Sequence, residues 1–197
     1  MPNWCISYIS VQSEDKLGLQ ILSDNVDLWT SYNAIENGFG THWLGNIVLN
    51  SGLGTIDTSD PSHLECRGYL ESIELVENEL IVQTCTAWRP MLQIWTRLAE
   101  SYLSEYDVIY TCEEPGMGIY YTNDPANNDY ILRGDYEKVF GCGEQYVDER
   151  LLVQLLQALL KVKITDVDKL IDMFESSEYH KEAGISGYEF VDISDLD

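Results

Sequence analysis

Basic residues are scarce in this chain: 11 Lys and Arg stand against 34 Asp and Glu among 197 residues, a formal net charge of −23 with the three His neutral. A surface this negative repels phosphate backbones and anionic headgroups, which excludes direct binding of nucleic acid or of a membrane surface without bridging cations. Long apolar runs are missing too, since no stretch approaches the roughly 18 uninterrupted apolar residues that a bilayer span needs. The opening Met1-Pro2-Asn3-Trp4-Cys5 lacks the basic and apolar regions of a secretion signal, so the expected location is the cytoplasm. Cysteines are few and unpaired: Cys5, Cys66, Cys85, Cys112 and Cys142 are an odd number, widely spaced, with no CxxC. That pattern signals neither a disulfide framework nor a zinc knuckle.

What is abundant argues for a folded body. Apolar residues make up 45% of the chain and aromatics 11%, more than an acidic disordered segment carries. The length allows one domain of ordinary size, or one with a small appended subdomain.

Residues 3–12 alternate apolar and polar side chains and predict a first strand. Ser13-Glu14-Asp15 offers an N-cap ahead of Leu17, Leu19, Ile21 and Leu22, predicting a short helix weakened by Gly18. Residues 25–60 are aromatic and Gly-rich without sustained periodicity, an insertion with short elements of its own. Residues 66–76 and 80–87 flank the turn Glu77-Asn78-Glu79 as a hairpin. Beyond Pro90, the residues Met91, Leu92, Ile94, Trp95, Leu98, Ala99 and Tyr102 recur at helical spacing. A strand over 106–112 follows, then extended structure over 118–122 and edge strands over 130–132 and 136–140 around Gly134-Asp135.

After Gly143 the composition shifts. Leucines 151, 152, 155, 156, 159 and 160 share one face of a helix opened by Asp148-Glu149, and a second helix runs from a Thr165 N-cap to about Ser176. The two are expected to form an αα-hairpin. From Thr165 to Asp197 ten acids face Lys169 and Lys181. The last ten residues keep Tyr188, Phe190, Val191, Ile193 and Leu196 and are expected to dock as an edge strand or to bind a partner.

The predicted order over residues 3–112 is βαββαβ, the split βαβ of ferredoxin-like folds. The expected class is therefore α+β: a ferredoxin-like domain over 1–143 with an insertion at 25–60, and an acidic helical extension over 144–197. The start Met1-Pro2-Asn3-Trp4-Cys5, the run Thr84-Cys85-Thr86-Ala87-Trp88-Arg89-Pro90 before a helix, and Tyr110-Thr111-Cys112-Glu113-Glu114-Pro115-Gly116 at a strand exit resemble the YubB-like ferredoxin-like family of phages and plasmids. The likeness covers roughly residues 1–125. It implies the fold and a mobile-element origin within a bacterial host, and no catalytic residues.

No catalytic constellation stands out. Glu113 and Glu114 are adjacent on an extended chain, so their side chains face opposite ways and do not form an acid/base pair. Asp166, Asp168 and Asp172 lack the Gly and Glu that complete a calcium loop. Gly38-Phe39-Gly40 and Gly52-Leu53-Gly54 lack the ends of a P-loop or a dinucleotide fingerprint. Cys142 has Lys138 and Glu144, of opposite sign, as its nearest charges, and nothing in the sequence brings His42 to it. No metal and no cofactor is implied.

The charge itself suggests a role that needs no catalyst. Keeping −23 on a compact body costs stability by self-repulsion, and carboxylates can stand where a nucleic-acid-binding protein expects phosphates. The leading expectation is a non-enzymatic protein that inhibits a basic host nuclease or defence complex by nucleic-acid mimicry, of anti-CRISPR or anti-restriction type. Its expected contacts are Asp166, Asp168, Asp172, Glu175 and Glu178, with Glu113 and Glu114 as a second patch and Tyr179 and Tyr188 adding buried area. The alternative is a small-ligand-binding protein or enzyme with Trp29, Tyr32, Phe39, His42 and Trp43 as its pocket. A homodimer through Leu152, Leu156 and Leu159 is a third expectation.

Overall fold

The computed structural model describes residues 3–127, 129–134, 145–181 and 183–196. They divide into two compact units, Met1–Asp124 with the stretch from Phe190 onward, and Pro125–Glu189.

The first unit is built on a sheet of β1 (Trp4–Gln12), β2 (Gly68–Val76), β3 (Glu79–Ala87), β4 (Asp107–Glu114) and β5 (Ile119–Thr122), with α1 (Lys16–Trp29), α2 (Leu44–Ser51) and α3 (Gln93–Tyr102). The spatial order is β2-β3-β1-β4-β5, and the short strand Glu189–Phe190 adds a sixth position beside β5. β1 pairs antiparallel with both β3 and β4, and β2 pairs antiparallel with β3. Hence α1 connects β1 to a strand of the same direction across β3, and α3 connects β3 to β4 across β1. The last residues return to this unit, where Val191 N–H donates to the Thr122 carbonyl at 2.8 Å and Tyr110 Oη donates to the Val191 carbonyl at 2.8 Å. The expected docking of this segment at a sheet edge is what is found.

Side-chain alternation decides which face the helices cover. Cys5, Ser7, Ile9 and Val11 of β1 are buried, whereas Ile6 and Tyr8 on the other face are exposed. On α1, Leu19, Leu22, Val26 and Trp29 recur at three- and four-residue spacing and are buried with Trp95, Leu98 and Ala99 of α3. Each such side chain contributes about 1.5–3 kcal/mol by leaving water. The helix is longer than its first turns suggest: Val26 and Trp29 continue the buried stripe, so α1 reaches into the stretch read as an insertion. Asp15 is its N-cap, accepting from Gly18 N–H at 2.9 Å, while Ser13 bonds the Glu105 carbonyl at 2.6 Å instead.

The second unit contains β6 (Asp129–Gly134), β7 (Gln145–Asp148) and β8 (Ala183–Gly187) in the order β7-β6-β8, with α4 (Glu149–Leu160) and α5 (Val167–Glu175). Asp148 caps α4 through the Leu151 N–H at 2.7 Å, and α5 is capped by Asp166, not Thr165, through the Lys169 N–H at 3.1 Å. Leu132, Val147, Leu152, Leu156, Leu170, Phe174 and Ala183 form its core.

Two expectations are corrected here. The boundary lies after Asp124, not after residue 143, and the second unit is not merely helical, because β6 pairs with β7 on one side and β8 on the other. The apolar face proposed for a homodimer is already occupied: Leu152 and Leu156 are fully buried against Leu170 and Phe174 within the unit, and Leu159 packs on the same cluster. A dimer through those leucines would first have to open this core. The strand expected over 136–140 and Cys142 lie outside the described residues. No helix among the described residues is long and apolar enough to cross a membrane.

Candidate functional site

A cleft of about 500 Å³ lies in the first unit, with Phe39, Trp43, His63, Cys66, Arg67 and Trp88 among its walls. Its volume falls within the usual range of small-molecule sites.

The wall bearing Phe39 and Trp43 is organised from α2. Asn46, fully buried, donates through Nδ2 to the Thr41 carbonyl at 2.8 Å, the Gly40 carbonyl at 3.3 Å and Asn33 Oδ1 at 3.1 Å, and its Oδ1 accepts from the Ala34 N–H at 3.0 Å. One side chain thereby satisfies the backbone of the loop that carries Phe39. A Cβ on Gly45 would come within 2.3 Å of the Trp43 ring, so glycine is what lets the indole lie against the helix. The adjoining His42 anchors this loop to β2: its ring Nδ1 is 3.2 Å from the Leu70 carbonyl, and its own carbonyl accepts from the Leu70 N–H at 2.9 Å.

The opposite wall comes from the ends of β2 and β3. At Gly68 a Cβ would meet the Cys85 carbonyl at 2.4 Å, and this close strand approach brings residues 66–67 alongside Ala87, whose N–H donates to the Arg67 carbonyl at 2.8 Å. Trp88 then departs from β3 with φ 74°, in the left-handed region that a bulky side chain rarely adopts. Its N–H continues the ladder to the Asn3 carbonyl at 2.9 Å, and Thr86 Oγ1 donates to the Arg89 carbonyl at 2.8 Å to close the turn. A following proline disfavours helical conformation at Arg89, and the left-handed residue of this turn is Trp88. The indole is left 42% exposed at the cleft.

The third wall is the loop 55–66. Asp57 accepts from Ser59 N–H at 2.9 Å and Oγ at 2.7 Å, and Asp60 repeats the arrangement with Ser62 at 2.8 and 2.7 Å. These hydrogen bonds hold both carboxyls below the usual carboxylate range. The turns place His63, whose Nδ1 is buried and has no hydrogen-bond partner among the described residues. Cys66 beside it is buried, and burial with the nearby Glu65 charge pushes its thiol up to about 11. It stays protonated at neutral pH, which makes it a poor nucleophile.

Charge in the cleft differs from that of the chain. Arg89 is held by Glu65, with Nη2 at 3.0 Å and Nε at 3.2 Å from Oε2, and also donates to the Leu196 carbonyl at 3.0 Å. Arg67 is exposed and forms no ion pair among the described residues.

The residues expected from sequence fall unevenly around this geometry. Phe39 and Trp43 line the cleft, but Trp29 is buried in the core, Tyr32 does not line the cleft, and His42 is taken up by Leu70. Trp88, His63 and Arg67 were missed as site residues; the signal present was a Trp between a strand end and a proline.

Of the acids, Asp168, Asp172 and Glu175 are exposed at spacings of four and three, on the face of α5 opposite Leu170 and Phe174. Asp166 is the helix cap and Glu178 is exposed in the following 3-10 turn. Glu114 is corrected: it is 2% exposed and its carboxylate accepts from the N–H groups of Gly116, at 3.0 Å, and Met117, at 2.5 Å, so it closes a turn and is not part of a surface patch. Glu113 is half-buried. Tyr179 and Tyr188 are half-buried rather than exposed, and Tyr179 packs on the second unit's core. Exposed acids also occur on α1 (Asp24, Asp27), β2 (Glu71, Glu74), α3 (Glu100) and at the start of β4 (Asp107).

The chain matches no family model, no curated protein and no solved structure.

Proposed function

We propose that the first unit is a ferredoxin-like domain of the YubB-like kind that binds a small planar ligand in the Phe39–Trp43–Trp88 cleft. The order β2-β3-β1-β4 with helices joining β1 to β2 and β3 to β4 supports the fold assignment. The observation that carries the ligand reading is Trp88, held at φ 74° with its indole facing a cleft already walled by two aromatic side chains. Backbone strain of this kind persists where surrounding structure enforces it and concentrates at binding sites. Burial holds the Cys66 thiol high, so this reading gives it no part as a nucleophile. The test is a thermal-shift screen with small aromatic metabolites. A compound that raises the melting temperature of the parent and not of Trp88→Gly supports the reading. A panel that shifts neither protein, or both equally, overturns it.

A second reading rests on α5. Its outer face gathers Asp168, Asp172 and Glu175, next to the exposed Glu178, and such a face suits a basic protein, as a mobile-element inhibitor of a host nuclease or defence complex would require. The C-terminal αα-hairpin of α4 and α5 would be its scaffold. The wide spread of the other exposed acids gives this reading less support than the cleft gives the first. Its test is capture of a basic nuclease that weakens steeply with salt and is lost in D168K/D172K/E175K.

A further inference from the structure

We infer that the ligand of the cleft is a free nucleoside monophosphate, an inference that rests on the ligand-binding reading above and names its chemical class. Three features converge on it. Phe39 and Trp88 are exposed in the lining of the cleft, with the buried Trp43 beside them, and exposed aromatic rings give a flat base surfaces to stack on. Arg67 is a cation without an ion-pair partner among the described residues, in a chain where acids outnumber bases 34 to 11. Glu65, the carboxylate lining the same cleft, is already held by Arg89 at 3.0 Å. A guanidinium so placed recognises a phosphate through paired N–H donors.

His63 is a further polar residue of the lining, and an imidazole nitrogen accepts or donates according to tautomer, which matches the edge of a base. The size of the cleft, about 500 Å³, suits one nucleotide. The net charge of −23 repels a polyanion far more strongly than a single phosphate, which favours the free nucleotide over a nucleic-acid strand.

The experiment is isothermal titration calorimetry of the full chain with AMP and UMP, against adenosine, uridine, inorganic phosphate and a short single-stranded oligonucleotide. A monophosphate is expected to bind about tenfold or more tightly than its nucleoside. Arg67→Ala, at an exposed position, should erase that ratio while leaving nucleoside binding in place, and Trp88→Gly should weaken both. Failure of AMP and UMP to bind, equal affinity for monophosphate and nucleoside, or a ratio unchanged in R67A each overturn the nucleotide assignment. If uncharged aromatic compounds still bind the parent and not W88G, the cleft reading survives that failure. Tighter binding of the oligonucleotide than of either monophosphate overturns the assignment to a free nucleotide.

Discussion

Trp88 donates its backbone N–H to the carbonyl of Asn3 at 2.9 Å while its own φ stands at 74°. The ladder between β1 and β3 thus runs one residue past the strands into a conformation that costs a Cβ-bearing residue about 1–2 kcal/mol. Glycine meets no such penalty. Trp88→Gly should therefore be at least as stable as the parent in urea unfolding, and Trp88→Ala, which keeps the Cβ, should be less stable than Trp88→Gly. A large loss in W88G would mean that the indole is held for packing instead of for the cleft.

Gly18 lies in the first turn of α1, where Ala would ordinarily gain about 1 kcal/mol in helix propensity. Here an added Cβ would meet Asp15 Oδ2 at 2.7 Å, Leu103 Cδ2 at 2.8 Å and the Tyr102 carbonyl at 2.9 Å. The carbonyl cannot yield cheaply, and the carboxylate is the one that caps the helix. Gly18→Ala should destabilise by about 1–3 kcal/mol in equilibrium unfolding, the usual range for overpacking.

Burial and the Glu65 charge push Cys66 up to about 11, so only a minute thiolate fraction exists at neutral pH. Iodoacetamide at pH 7.5 should label Cys66 in the native protein orders of magnitude more slowly than in denaturant, as read by peptide mass spectrometry.

The two Asx turns of loop 55–66 carry a pH signature. Asp57 and Asp60 have native pKa values lowered by hydrogen bonds from Ser59 and Ser62. Their stabilisation is thus complete above the unfolded aspartate value of about 3.9 and is lost as pH falls through the lowered native values. D57A/D60A should be less stable than the parent at pH 6, with the gap closing as urea unfolding is repeated at progressively lower pH.

Periodic patterns made the scaffold readable. Alternation in 3–12, the hairpin around Glu77-Asn78 and the helical spacing from Met91 to Tyr102 depend on neighbours in sequence, and β1, the β2–β3 pair and α3 follow them closely. Asp15 as the working cap of α1 and the continuation of that helix to Trp29 were less legible, because contacts with α3 stabilise its second half.

The sequence alone determined an α+β body, its strong negative charge and the approximate order of its elements, since these follow from composition and local periodicity. Tertiary structure decided that Glu114 turns inward to close a loop, that Leu152 and Leu156 are used up inside their own unit, and that Phe39, His63, Arg67 and Trp88 meet around one cleft. Those outcomes depend on which distant segments pair, on close approaches such as Gly68 against Cys85, and on the left-handed conformation of Trp88. Long-range pairing of that kind leaves no periodic trace in the chain.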